Sequence, residues 1–361
     1  MMSQPGPQRY IAAPGAYQEL PEFLHSLKVK RVLFLHGTRS LKAAKPYLPD
    51  LTAEFEVTDV LFGGECSYVE IDRIKAIAEQ HHVDAVIALG GGKVLDTAKS
   101  VATGTPLYTV FIPTLASNCA PWSALSVHYH EDGSHDDFKV YNETANLLLF
   151  EPQVILHSPI DYFIAGIADT LAKYYESELI FDQLQPEDYT VALTLSQQSA
   201  KLCRQILLDS AIQAVKDMQA GQLTHTWQTV AETVIVTAGT VGGWGDEYAR
   251  ATGAHSIHDA LCEFPETVKL LHGHKVGYGI LVQLALEHHE TEIIKLLPFY
   301  RTLGVPTNFE TLGLGAVDQR VDQLAEYAAD PSTTMHLIPV DTSAAAVAQA
   351  IRRVEVITRQ H

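Results

Sequence analysis

The sequence predicts two domains, an α/β domain with a Rossmann-like parallel sheet followed by an all-α domain. Three observations predict it. Short apolar runs alternate with helical patterns from Lys30 to about Leu156, one of those runs ends in three consecutive glycines, and beyond Ser158 the strand signal gives way to helical periodicity. At 361 residues with 47% apolar content, the chain can bury two cores.

In order, the first half offers strands at Arg31–His36, Glu56–Leu61, Ala85–Leu89, Tyr108–Pro113, Ser123–His130 and Leu147–Leu156. Helices are expected near Lys42–Leu48, near Glu70–His81 and from Val94 onward. Short connections between alternating elements mean parallel strands covered by helices, with ligands collecting at the strands' carboxyl ends. Helical periodicity then marks Thr190–Ile212, Thr226–Gly239, His274–His289 and Ala344–Ile357. The boundary falls near His157-Ser158-Pro159, giving domains 1–157 and 158–361, with the active site expected in a cleft between them.

Composition narrows the partners. Lys and Arg total 25 against 43 Asp and Glu, a net charge of −18 that would repel a nucleic-acid backbone. Four scattered cysteines without a Cys-x-x-Cys pair fit a reducing compartment, so a cytoplasmic address is expected. The first ten residues lack an apolar leader core and no segment is long and apolar enough to cross a bilayer, so a membrane partner is not expected.

The chemistry begins at Gly90-Gly91-Gly92-Lys93, where an apolar strand turns into a helix. Backbone N–H groups uncovered by the glycines, the positive helix end and the Lys93 ammonium together suit a diphosphate. The motif is neither Gly-x-Gly-x-x-Gly nor a Walker loop, and an ordinary βα turn would look the same. In the second half, Asp169 sits among small apolar neighbours where an unpaired charge is costly. His255 and His258 lie on adjacent turns, and His272 follows. One carboxylate and two imidazoles form a recipe for a catalytic divalent cation, although with 17 histidines spacing alone leaves hydrogen-bonded core roles open.

These residues together resemble the iron-containing (group III) alcohol dehydrogenase family, in its glycerol dehydrogenase branch. The resemblance runs through Phe62-Gly-Gly-Glu-Cys66 and Gly90-Gly-Gly-Lys-Val-Leu-Asp-Thr-Ala-Lys99 to Ile112-Pro-Thr-Leu-Ala-Ser117 and Ser123-Ala-Leu-Ser-Val127. It continues in Gly166-Ile-Ala-Asp169, Ala254-His-Ser-Ile-His258 and His272-Gly-His-Lys275. It implies a dehydroquinate synthase-like fold, a nicotinamide dinucleotide on the first domain and a metal on the helical one. The implied metal ligands are Asp169, His255 and His272. The implied cofactor-binding residues are Gly90, Gly91, Gly92, Lys93, Asp96, Thr114, Leu115, Ala116, Ser117, Ser123, Leu125 and Tyr129. The cation, Zn2+ first and Fe2+ or Mn2+ as alternatives, would act as a Lewis acid while the nicotinamide exchanges hydride with the substrate carbon. His258 would relay a proton or simply orient a ligand. A homo-oligomer is expected from the family alone.

Departures from the glycerol pattern bear on substrate. The acid of the loop after Ala116-Ser117 is replaced by Cys119, and Lys173 adds a cation four residues after Asp169, a change of about two positive charges that favours an anionic substrate over a triol. Cys119, Lys173 and His258 are therefore the candidate catalytic residues. The Cys119–Trp122 loop, Asp169-Thr-Leu-Ala-Lys173 with Tyr175-Glu176, and Tyr278-Gly-Ile-Leu-Val-Gln283 resemble the hydroxycarboxylate dehydrogenase branch, which implies reduction of a small 2-oxo acid. At the end of the first apolar run Gly37 takes the place of an aspartate, and Thr38 and Arg39 could receive a 2′-phosphate, so NADP(H) is expected to be accepted and preferred over NAD(H). Rival readings are a glycerol or 1,2-diol dehydrogenase, a dehydroquinate synthase-like lyase and a non-enzymatic binding protein.

Overall fold

The computed structural model describes residues 3–315 and 320–361. Met1 and Met2, part of the segment read for a leader, lie outside them. Two compact units emerge, one of Gln4–Pro159 with Gly221–Leu223, the other of Ile160–Ala220 and Thr224–His361.

The first unit runs β1 (Arg9–Ala12), α1 (Leu20–Ser26), β2 (Arg31–His36), α2 (Thr38–Ala44), β3 (Glu56–Leu61), α3 (Tyr68–Gln80), β4 (Ala85–Gly90) and α4 (Gly92–Ala102). It continues with β5 (Tyr108–Pro113), β6 (Leu125–Tyr129), β7 (His135–Val140), β8 (Leu147–Phe150) and α5 (Pro152–Leu156). Six strands form one parallel sheet in the order β1-β8-β5-β4-β2-β3, and β6 and β7 make a separate antiparallel hairpin. All six residues of β4 are buried, as expected of a central strand covered on both faces. Val32, Phe34, Ala85, Ile87, Val110, Ile112, Leu147 and Leu149 supply one continuous apolar layer from neighbouring strands, and Leu20, Leu24 and Val154 pack on it.

Two expectations need correction here. The helix read at Lys42–Leu48 starts earlier, at Thr38, because the Ser40 hydroxyl accepts the Gly37 N–H (3.0 Å) and so caps the turn. The strand read at Leu147–Leu156 stops at Phe150, where the Glu151 carboxylate accepts the Gln153 N–H (3.2 Å) and Pro152 opens a helix.

Among the described residues, the second unit carries no strand and is built on α6 (Ile160–Phe181), α7 (Val191–Gln219), α8 (His225–Glu232), α9 (Ala238–Gly245), α10 (Gly253–Cys262), α11 (His272–Leu286), α12 (Glu290–Leu303), α13 (Arg320–Ala328) and α14 (Ala344–Gln360). The segment read as one helix from Thr226 to Gly239 is α8 joined to α9 through a π-helical stretch, Thr233–Thr237. Nearly every residue of α11 is buried, the mark of a helix surrounded by others. Among the described residues no helix is long and apolar enough to cross a membrane.

Candidate metal centre and dinucleotide turn

On α6 the charged residues Asp169, Lys173 and Glu176 recur at i, i+4 and i+7, a single stripe on a helix otherwise buried at its centre. Two helices bring histidines to that stripe by close backbone approach. A Cβ on Gly273, the residue after His272, would lie 1.8 Å from the carbonyl oxygen of Ala165, one turn before Asp169. A Cβ on Gly279 would lie 2.3 Å from the carbonyl oxygen of Ala254, the neighbour of His255. Only glycine permits these contacts, so α11 lies directly against the backbones of α6 and α10.

Asp169, His255 and His272 converge, with one ligand atom from each within 4.8 Å of the others. Asp169 Oδ1 is 3.5 Å from His255 Nε2 and 3.3 Å from His272 Nε2. Tetrahedral coordination with bonds of about 2.0–2.1 Å spaces ligand atoms about 3.3 Å apart, so these separations fit a shared ion. The buried oxygen Asp169 Oδ1 meets no donor with hydrogen-bond geometry. An orphaned buried carboxylate oxygen is costly in a protein interior, and a cation would satisfy it.

The outer partners fix which imidazole nitrogen faces the centre. His255 Nδ1 lies 2.7 Å from Glu176 Oε2, and a carboxylate only accepts, so the Nδ1–H donates and Nε2 is the nitrogen that faces the centre. Glu176 Oε1 also accepts the backbone N–H groups of Thr252 (2.8 Å) and His255 (3.0 Å), pinning the start of α10. His258 donates from Nδ1 to Asp259 Oδ1 at 2.9 Å, so its Nε2 must accept, and His272 Nδ1, 2.8 Å away, donates to it. His272 therefore also turns its Nε2 inward. Carboxylates and imidazoles behind metal-binding histidines orient them in this way.

Burial works against charge on each of these groups, and the neighbours decide the outcome. For Asp169 burial pushes the carboxyl up, but His255, His272 and Lys173 outweigh it and hold it well below the usual range. Glu176 is likewise raised by burial yet ends lowered, through His255 and Lys173. For His255 burial pulls down, while the Glu176 charge, the nearby Asp169 carboxylate and the hydrogen bond that Glu176 accepts lift it to about 10. Burial, with the charges of His272 and Lys275, pushes His258 down to about 3 against the pull of Asp259. His258 is thus neutral at working pH, as its accepting role requires.

In the first unit, Gly91 and Gly92 open α4 with no side-chain cap. A Cβ on Gly91 would meet Leu115 at 3.0 Å and one on Gly92 would meet Asn118 at 3.1 Å, so the glycines leave the turn open for an anion. Thr114 N–H donates to the Gly90 carbonyl (3.0 Å), and Ser40 Oγ to that of Leu89 (3.0 Å), which brings the Gly37–Ser40 corner to the same strand end. Lys93 is ion-paired with Glu65 and stands 4.6 Å over the Tyr129 ring. Thr38 and Arg39 are exposed, and on the neighbouring strand Asp59 accepts from His36 (3.1 Å).

Asp96 occupies a different place from the one expected of a cofactor contact. It is buried, 2.7 Å from the Lys99 ammonium, and accepts the Val127 N–H at 3.2 Å. Lys99 also donates to the carbonyls of Ala120 (2.9 Å), Ser123 (3.1 Å) and Leu125. Ala116 is buried, Ser117 is half-buried, and Cys119 accepts the Trp122 and Ser123 N–H groups at its carbonyl in the same loop. Lys173 donates to the Arg250 carbonyl at 3.3 Å. The roles of Glu176 and Lys99 escaped sequence reasoning; for Glu176 the i, i+7 spacing from Asp169 was the available signal.

Residues 7–152 match the family model "Iron-containing alcohol dehydrogenase". Hydroxycarboxylate dehydrogenase A of Escherichia coli K12 is 34% identical over 351 residues, 97% of this chain and 96% of that one. A glycerol dehydrogenase of Citrobacter freundii is 32% identical over 306 residues, 83% of this chain and 82% of that protein. The crystal structure of a probable glycerol dehydrogenase from Sinorhizobium meliloti 1021 superimposes with a TM-score of 0.89 at 29% identity, covering 100% of both chains. The chain belongs to the iron-containing alcohol dehydrogenase family and is an oxidoreductase acting on alcohol groups.

Proposed function

We propose that this enzyme is a divalent-metal-dependent, NAD(P)-linked dehydrogenase that interconverts a small 2-oxo acid and its 2-hydroxy acid. The observation that carries the metal is the inward-facing trio of Asp169 Oδ1, His255 Nε2 and His272 Nε2, with both histidine tautomers fixed from behind. These three residues would hold Zn2+, Fe2+ or Mn2+. When bound, the cation would polarise the carbonyl that receives hydride from the nicotinamide. His258, neutral and engaged at both nitrogens, orients His272 rather than carrying a proton. The start of α4 and Lys93 would bind the dinucleotide's diphosphate, with Glu65 yielding Lys93 to it. Thr114, Leu115, Ala116, Ser117, Ser123, Leu125 and Tyr129 would line the remainder of that site.

Charge supports an anionic substrate. A divalent cation with Asp169 and Glu176 ionised sums to zero, and Lys173, which lowers both carboxyls electrostatically, makes the centre net positive by about one unit. A monoanion suits that balance better than a triol. The similarity to hydroxycarboxylate dehydrogenase A supports the same class, while the glycerol dehydrogenase relatives keep polyols as the rival. The Lys173→Met variant should raise the KM for 2-oxobutyrate about tenfold, roughly 1.4 kcal/mol, while moving that for dihydroxyacetone less than about twofold. Equal effects on both would refute the anion pocket. Glycerol oxidation far faster than 2-oxobutyrate reduction would favour the rival.

Preference for NADP(H) rests on Thr38 and Arg39 at the start of α2; Asp59 is the acid nearby that would oppose a 2′-phosphate. Initial rates at equal NADPH and NADH concentrations should favour NADPH in the parent, and Arg39→Ala should erase the difference. Strict use of NADH would overturn this reading.

A further inference from the structure

We propose that Gln283, on α11, is a positioning residue for the metal centre, acting through the Glu176–His255 pair. The inference rests on the metal reading above. Gln283 is 1% exposed, and its side-chain hydrogen bonds go to neighbours of the ligands rather than to the ligands themselves. Its side-chain carbonyl Oε1 accepts the Ala254 N–H (3.0 Å) and the Thr252 hydroxyl (3.3 Å), the residues beside His255 at the start of α10. Its Nε2 donates to the Tyr175 carbonyl (3.0 Å), beside Glu176 on α6, and to Glu287 Oε1 (2.8 Å) one turn further along α11. A single amide thus ties the backbone next to the ligand histidine to the backbone next to the carboxylate that orients it.

The chemistry asks for an amide. Oε1 must accept and Nε2 must donate twice, which a carboxylate cannot do and an ammonium cannot mirror. Three of the four contacts are buried and the one to Glu287 is part-buried, so losing the amide leaves the Ala254 N–H without a partner and the Tyr175 carbonyl with only its helical one. The first turn of α10 then settles elsewhere, and His255 moves with it relative to Glu176 and Asp169. Partners bonded directly to a ligand, as Glu176 is to His255, change metal affinity by about 10- to 100-fold, and Gln283, one bond further out, belongs at the lower end of that range.

The test compares parent, Gln283→Met and Gln283→Glu in full-length protein, with zinc affinity by chelator competition, the visible spectrum of the cobalt(II) form and the melting temperature of the metal-free form. Gln283→Met removes every polar contact at similar volume, whereas Gln283→Glu keeps the acceptor for Ala254 and loses both donors. We expect zinc binding weakened about tenfold in Gln283→Met and less in Gln283→Glu, altered cobalt(II) absorption in both, and metal-free melting within a few degrees of the parent. If Gln283→Met does not fold, Gln283→Glu decides. Parent-like zinc affinity and cobalt(II) spectra in the folded variants would overturn the proposal, as would weaker zinc binding matched by an equal loss of metal-free stability. A parent protein that binds no zinc would instead refute the metal centre itself.

Discussion

Asp169→Asn should leave a folded protein that neither holds metal nor turns over. The substitution is isosteric, yet it removes the one anionic ligand and the charge that pairs with both imidazoles. Zinc affinity and kcat/KM are each expected to fall at least about a thousandfold, roughly 4 kcal/mol. The fold should survive, because an amide costs less to bury than a charge. Elemental analysis, steady-state rates and a melting curve check the three parts. In the parent, His255 is lifted to about 10 when no metal is present, against an ordinary value near 6.5. That raised value means the imidazolium's contribution to metal-free stability is complete below about pH 6.5 and disappears as pH rises through about 10. Asp169→Asn should weaken this dependence and leave the larger share, which comes from Glu176.

The second large effect is expected from Gly273→Ala, a single methyl far smaller than the damage it does. Its Cβ would sit 1.8 Å from the Ala165 carbonyl oxygen, and backbone on both sides leaves no flexible side chain to move aside. The helix pair α6–α11 must separate, and His272 leaves Asp169. A destabilisation of about 3 kcal/mol or more and a melting temperature lowered by about 6–12 °C are expected, with zinc affinity reduced alongside. Gly242→Ala is the control: its Cβ would meet its nearest neighbour, the Ala249 carbonyl, at 3.8 Å, and helix propensity favours alanine there. It should melt at or above the parent temperature. Similar losses in both variants would show that packing at Gly273 is not special.

The sheet was readable where strands were apolar on both faces. Within β4, Val86, Ile87, Ala88 and Leu89 form a β-branched and aliphatic run cut off by glycine, and it lies at the sheet's centre. The edge strand β1 and the hairpin strand β7 gave no such signal. β1 is four residues long, and β7 exposes His135, Asp136, Phe138, Lys139 and Val140, so neither shows a buried period. The overrun past Phe150 came from apolar composition that serves a strand and a helix equally, with Glu151 and Pro152 marking the change.

The site was legible in the same uneven way. Residue type singled out Asp169, His255, His258 and His272, but the choice of Asp169, His255 and His272 as one set came through resemblance, because separations of 86 and 17 residues say nothing about convergence. Glu176 was within reach of helical arithmetic on α6. Gln283 was not: its importance lies in what its amide reaches on two other helices, which no spacing encodes. Asp96 looked like part of a phosphate motif and proved to be buried beneath it, since the same helix face that opens at Gly92 turns inward a turn later.

The most direct test of the account is the rate of NADPH-dependent 2-oxobutyrate reduction by metal-stripped enzyme as zinc is added back. We expect no activity without metal and a rise that saturates at one ion per chain. Full activity in the metal-free protein would contradict it.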